Sequence, residues 1–334
     1  MKISASIYSD TTRPLEEVIR DLDAHQVDMF HVDCNDDPAV FEDIAKIRSL
    51  SPTPIDLHLI TSCPEDYYAL LLENPVEYLT FQFEQLEAPL HLPENILGKK
   101  GIAVTTSTPV DIFEGFIHFD FILIMATVPG QSGGKFDRHN FQKIRSYRKL
   151  FPSKSIHVDG GVNGEVSFIL RNMGVSSCVS GSYLFNAPSV GHALMNLTKR
   201  DIESSFQIKD FMIPLEECPV CISDKHSPRE IVQVVDEGRL GFAIVLNSLG
   251  KLEGIVSSAD IRKALLSKWD DIQLMTVHEL INHTPLTIYE TSTVVNLLRM
   301  IKKCSFPIMY LPIINSGGDA VGIITFTHLI KGEI

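Results

Sequence analysis

The sequence predicts an α/β chain: a (β/α)8 barrel over residues 1–200, followed by a smaller α+β domain. Three observations predict it. In the first part, eight short apolar runs alternate with amphipathic, helix-like stretches. That rhythm changes around KRDIESSFQIKD (199–210). Beyond it, a pattern of about 60 residues occurs twice.

The apolar runs are KISASIY (2–8), VDMFHVD (27–33), PIDLHLI (54–60), VEYLTF (76–81), KGIAVT (100–105), FDFILIM (119–125), SIHVD (155–159) and SSCVSG (176–181). They are apolar on both sides, as strands of a parallel sheet covered by helices must be. PLEEVIRDLDAHQ (14–26) and RHNFQKIRSYRKLF (138–151) are examples of the helices between them. An open doubly wound sheet is the alternative, weakened by the lack of GxGxxG after the first strand. Residues 201–209 read as a linker, and the repeat covers Asp210–Lys268 and Leu274–Ile334. Each copy opens with an apolar-then-Pro segment (DFMIPLEECPVCIS; ELINHTPLTIYE). A helix follows (SPREIVQVVDEG; STVVNLLRMIKK), then two apolar runs around glycine (GFAIVLNSLGKLEGIV; FPIMYLPIINSGGDAVGIIT). A short helix closes each copy (SADIRKALL; FTHLIKGEI). Two such units bury most surface by packing on each other.

Composition narrows the function. The 334 residues carry 42 acidic and 29 basic side chains, a net charge of −13, which would repel nucleic-acid phosphates. A hydrophobic content of 44% with 21% charged residues is that of a globular chain. The segment MKISASIYSD lacks the apolar core of a signal peptide, and no run reaches the roughly 18 apolar residues of a membrane span. The cysteines at 34, 63, 178, 218, 221 and 304 then read as reduced thiols of a cytoplasmic protein. Cys218 and Cys221 form one CxxC, but no second pair completes the four ligands of structural zinc.

Catalytic groups in such barrels sit at the C-terminal ends of strands. His31 and Asp33 close the second run and, being two apart, share its inward face. His58 lies near the end of the third, and Asp159 closes the seventh. Each alone is an ordinary polar strand end. Together, two imidazoles and two carboxylates converging from three strands make a divalent-metal site, of Zn, Mn or Fe. A phosphate signal is separate: Gly160-Gly161 follows the seventh run and Gly181-Ser182 the eighth. Glycines let backbone N–H groups approach an anion there. The loop PGQSGGKF (129–136), with Gly130 and Gly133, is either a segment that closes over substrate or a surface turn.

Residues 1–198 resemble the ribulose-phosphate 3-epimerase family. The motifs that carry the resemblance are SASIYSD (4–10), HVDCND (31–36), DLHLI (56–60), GIAVTTSTP (101–109), ILIMATVPGQSGGKF (122–136), VDGGV (158–162) and SGSYLF (180–185). The resemblance implies a (β/α)8 barrel with one divalent metal on His31, Asp33, His58 and Asp159. It implies that Asp33 and Asp159 act as acid and base on opposite faces of the sugar carbon C3. It also implies that Ser6 contacts substrate and that Met125 lines the pocket. Decarboxylases of this barrel type rely on Asp-x-Lys-x-x-Asp, and no such Lys follows the second strand. The chain departs from the family at Asn35-Asp36-Asp37, where a longer segment is usual, and at Ile60, where the family has Met. It departs again at Gln82, where the family often has His, and at Val128, Gln131 and Ser132. The metal and phosphate ends are kept, while the lining around the sugar differs.

Residues 210–334 resemble a tandem pair of CBS domains through GIVSSADIRKALL (254–266) and GIITFTHLIK (322–331). In ligand-binding members a Ser/Thr and an Asp hold the ribose of an adenosine nucleotide. Ser257 and Asp260 complete that motif in the first copy; the second has Thr325 but His328 in place of Asp. Asp260 is equally explained as an acidic residue at a helix N-terminus, and such pairs also serve as bare dimerisation modules. The expectation is a metal-dependent isomerase acting on a ribulose 5-phosphate/xylulose 5-phosphate type of ketose phosphate. Its CBS pair is expected to bind AMP, ADP or ATP or to form a homo-oligomer. Two rivals remain: an epimerase for a hexulose 6-phosphate such as allulose 6-phosphate, and a non-catalytic protein responding to sugar phosphate and nucleotide.

Overall fold

A computed structural model describes residues 1–127, 133–198, 206–304 and 306–326. Eight parallel strands close into a barrel in chain order: β1 (Lys2–Ser6), β2 (Met29–Asn35), β3 (Ile55–Ile60), β4 (Tyr78–Gln82), β5 (Lys99–Val104), β6 (Phe121–Met125), β7 (Ser155–Asp159) and β8 (Ser177–Ser180). Each overlaps one of the eight expected runs. Helices α1 (Leu15–Ala24), α2 (Val40–Leu50), α3 (Tyr68–Glu73), α4 (His139–Leu150), α5 (Gly164–Asn172), α6 (Ser182–Phe185) and α7 (Val190–Thr198) connect them. After β4 and β5 the connections instead use the 3-10 turns Phe83–Gln85 and Val110–Phe116. No described helix is long and apolar enough to cross a membrane.

Strand periodicity explains the barrel interior. Phe121, Leu123 and Met125, two apart along β6, cluster inside with Met29, Tyr78 and Ala103. Gly101 on β5 makes room for them: a Cβ there would meet the Phe121 ring at 2.2 Å. The same parity turns His31 and Asp33 inward from β2, continuing the row that Met29 begins. Apolar side chains therefore fill the lower interior, and the polar strand ends are left at the C-terminal mouth.

The second compact unit, Glu203–Thr327, begins with α8 (Ile208–Phe211). Its first copy holds β9 (Ile213–Pro214), β10 (Val220–Ile222), α9 (Pro228–Glu237), β11 (Phe242–Leu246), β12 (Leu252–Ser257) and α10 (Ser258–Ser267). Its second holds α11 (Val277–Leu280), β13 (Ile288–Tyr289), α12 (Val294–Lys303), β14 (Tyr310–Ile314) and β15 (Ala320–Thr325). The expected closing helix FTHLIKGEI lies, beyond Phe326, outside the described residues. In each copy a strand runs parallel to the first strand of an antiparallel hairpin: β10 with β11–β12, and β13 with β14–β15. Phe242 and Ile244 of β11 pack against Ala320 and Ile323 of β15. Ala243 and Val245, on the opposite face, pack against Ile231 and Val235 of α9. Burial on both faces is why β11 is continuously apolar.

The copies also exchange backbone. β9, which opens the first copy, pairs with β15 of the second, and Asn282, near the start of the second, bridges Ile255 of β12. Gly254 and Gly322 occupy equivalent places in the two hairpins and permit this approach. A Cβ at Gly254 would meet the Asn282 carbonyl oxygen at 2.3 Å, and one at Gly322 would meet that of Ile213 at 2.3 Å. Either Gly→Ala change should therefore cost about 1–3 kcal/mol of the pair's stability. A denaturant melt that leaves both variants at the wild-type midpoint would show that the approach is not tight.

Candidate metal centre

Strand register assembles the site. β2 and β3 align His31 with Asp56 and Asp33 with His58, and β6 and β7 align Met125 with Asp159. His31, Asp33, His58 and Asp159 each offer one ligand atom, and these atoms lie within 4.8 Å of one another. His31 Nε2 is 3.2 Å from Asp33 Oδ1 and 4.0 Å from Asp159 Oδ2, and His58 Nδ1 is 3.3 Å from Asp33 Oδ1. Both imidazoles are fully buried, whereas Asp33 and Asp159 keep 20% and 18% of their side chains exposed. The carboxylates are thus the groups that face the mouth.

The outer nitrogens of both imidazoles are tied down. His31 Nδ1 lies 2.9 Å from Asp56 Oδ2, which also accepts from Ser4 Oγ at 2.9 Å. His58 Nε2 lies 2.9 Å from Gln82 Oε1. The inner nitrogens are left facing the cluster, and His58 Nδ1 is a buried atom with no hydrogen-bond partner.

The electrostatics ask for a cation. Burial works to raise Asp159, and with the charges of Asp33 and Asp56 it outweighs the histidines, pushing the carboxyl up to about 6. Burial also works to raise Asp33, but His31 and His58 win and hold it well below the usual carboxylate range. Burial works to lower His31, yet Asp33 and Asp56 push it well above the ordinary value. A protonated imidazole between carboxylates supplies positive charge where the donors converge. A divalent cation would replace that proton, so the residues present fit such a group.

The other expected site residues fall as follows. Ser6 ends β1 and its Oγ accepts from Ser9 Oγ at 3.1 Å. Met125 is buried at the end of β6. Gly160 and Gly161 have φ of +106° and +66°, and a Cβ on them would meet Thr127 Oγ1 and the Phe136 nitrogen at 2.2 Å. Backbone geometry and packing alone thus require glycine at both. Gly181 and Ser182 sit at the start of α6 beside Ser6 and Ser9. Gly133 has φ +84°, while Gly130, Val128, Gln131 and Ser132 lie outside the described residues. Asp36 does not join the cluster; it adopts φ +55° and accepts from Thr61 Oγ1 at 2.6 Å and Tyr67 OH at 3.1 Å. Ser257 and Asp260 form a reciprocal capping box at the start of α10. The Ser257 backbone donates to Asp260 Oδ2 at 2.9 Å, and the Ser257 hydroxyl donates at 2.5 Å. Thr325 ends β15 opposite Tyr310, and His328 lies outside the described residues. Sequence reasoning missed Asp56 and Glu84; for Asp56 a signal existed, since it lies two residues before His58 on the same strand face.

Residues 2–185 match the family model for the ribulose-phosphate 3 epimerase family. The chain belongs to that family. It is an epimerase-class isomerase with a second, CBS part, since residues 208–267 and 277–333 match the CBS domain. A ribulose-phosphate 3-epimerase of Methanocaldococcus jannaschii is 31% identical over 226 residues, which cover 64% of this chain and 95% of that one. One of Synechocystis is 30% identical over 212 residues, covering 58% and 90%. The structure of CBSX2 in complex with AMP is 19% identical, with a TM-score of 0.33, and covers 39% of this chain and 96% of that one.

Proposed function

We propose that the barrel interconverts C3 epimers of a ketopentose phosphate of the ribulose 5-phosphate/xylulose 5-phosphate type, through an enediolate. The observation that carries this reading is the pair of carboxylates, Asp33 from β2 and Asp159 from β7, partly exposed at one mouth beside two buried imidazoles. Inversion at one carbon needs a proton-transfer group on each face, and two converging carboxylates can supply both. Asp33 takes the C3 proton from one face, and Asp159 returns one to the other. Each transfer is worth roughly 10²- to 10⁴-fold in rate. His31, Asp33, His58 and Asp159 would hold a divalent cation, Zn, Mn or Fe, whose charge stabilises the negative charge developing on the substrate oxygens. Ser6 and Met125 border the sugar. The backbone at Gly160-Gly161 and Gly181-Ser182, in the loops after β7 and β8, faces the phosphate. NMR of ketose phosphates incubated in deuterated water with metal-loaded protein tests the reading. Deuterium should enter at C3 of a ketopentose phosphate, and incorporation into no ketose phosphate would overturn it. Incorporation into a hexulose 6-phosphate alone would shift the substrate and keep the reaction.

We further propose that the CBS pair binds an adenosine nucleotide at Ser257 and Asp260 and couples it to the barrel. The support is the intact first motif, in which the capping box engages Oδ2 of Asp260. Coupling of this kind changes affinity by roughly 5- to 150-fold, and reciprocally. Calorimetric titration of AMP, ADP and ATP with and without a substrate analogue should show the same factor both ways. Absence of binding below millimolar nucleotide would leave the pair as a self-association module.

A further inference from the structure

Beyond the four donors, a polar chain leads from His58 toward the rim of the barrel. His58 Nε2 meets Gln82 Oε1 at 2.9 Å, and the Gln82 amide nitrogen donates to Glu84 Oε2 in the turn after β4. Glu84 Oε1 in turn accepts from the Thr105 backbone at 2.8 Å, from Thr105 Oγ1 at 2.9 Å and from the Thr108 hydroxyl. We infer that Glu84, acting through Gln82, sets the tautomer of His58 and is a positioning residue for the metal centre. The inference rests on the cation-holding role proposed for His58.

The argument is one of donors and acceptors. An ionised carboxylate only accepts, so Glu84 draws the NH2 end of the Gln82 amide toward itself. The amide oxygen must then face His58, so His58 Nε2 carries the proton. In the neutral ring Nδ1 is left with its lone pair toward Asp33 and Asp159, the form a cation needs. The opposite tautomer has a real attraction. His58 Nδ1 lies 3.3 Å from Asp33 Oδ1, and a proton there would donate to that carboxylate. Only a correctly polarised amide on the other side opposes this. A neutral partner in place of Glu84 leaves the Gln82 amide free to turn and present NH2 to His58. Gln82 is 2% exposed, while Glu84 is exposed at the rim, where several donors converge on its carboxylate. Burial acts to raise Glu84, but the donations from Thr108, Thr105 and Gln82 prevail and keep it below its ordinary value, hence ionised.

The test uses the full chain, 15N-labelled at histidine and stripped of metal with a chelator. In wild type the His58 ring should show protonated Nε2 and unprotonated Nδ1. Glu84→Gln should mix or invert that pattern and weaken Zn²⁺ binding, measured by chelator competition, by about 10- to 100-fold, the usual loss when an outer partner of a ligating histidine is removed. Gln82→Leu should do the same. Gln82→His should restore both readouts, because a second imidazole can donate to Glu84 and accept from His58. A merely structural role for Glu84 predicts lower thermal stability with the His58 tautomer unchanged. An unchanged tautomer and unchanged Zn²⁺ affinity in Glu84→Gln would overturn the inference. Wild-type protein that takes up no Zn²⁺, Mn²⁺ or Fe²⁺ at all would instead remove the metal reading, leaving the tautomer shift to decide whether the chain acts on His58.

Discussion

Metal-loaded Asp159→Asn protein should lose epimerase turnover by about 10²- to 10⁴-fold, the worth of one positioned proton-transfer group. Asparagine keeps the shape of the side chain and one oxygen donor, so packing at the end of β7 is preserved. It cannot take or return a proton. The same change at Asp33 should be as damaging, because each carboxylate serves one face of the carbon. The two variants need not be silent in solvent exchange. A single remaining base can still remove and replace a proton on its own face, so one variant should wash deuterium into substrate without inverting it. Occupancy must be followed in parallel, since both residues would also hold the proposed cation. A fully loaded Asp159→Asn enzyme with normal turnover would end the two-base mechanism.

The second large effect concerns the imidazoles. His31→Ala and His58→Ala should each strip the protein of the close to one Zn, Mn or Fe expected per chain. The loss should exceed the roughly 10- to 100-fold seen when only an outer partner is removed. His31 is the more consequential position. It sits between Asp33 and Asp56, so its deletion also leaves two carboxylates, that of Asp56 buried, without their shared cationic neighbour. The barrel of His31→Ala should therefore melt earlier than that of His58→Ala. Elemental analysis showing full metal retention in both variants would remove the centre described above.

The four converging donors were legible because strands repeat every two residues. Reading HVD at the end of one apolar run puts His31 and Asp33 on one face, and a barrel sends that face inward. Of the partners that tune them, only Asp56 left a local mark, its place two residues before His58. Asp56 lies among residues that read as a plain buried strand. Glu84 sits in a turn whose neighbours along the chain, Phe83 and Gln85, say nothing of Thr105 or Thr108 across the mouth. Gln82 was visible only as a departure from the family pattern. Its bond to His58 appears only in the folded barrel.

The glycines divide in the same way. Gly160 and Gly161 read as an invitation to a phosphate, and structure adds a second cause, since both have positive φ and press on Thr127 and Phe136. Gly254 and Gly322 read as hairpin positions that open each CBS motif, and the structure adds that each gives a neighbouring segment room to lie against the strand. The order of eight barrel strands, the four converging donors and the repeat of the second half all follow from the sequence by itself, because periodicity and strand ends are written in consecutive residues. Which strand edge accepts β9, which carboxylate stands behind His31 and which amide end meets His58 were decided only by the tertiary structure. Those pairings join residues far apart in the chain, and their registers are selected by packing and hydrogen bonding that no local pattern encodes.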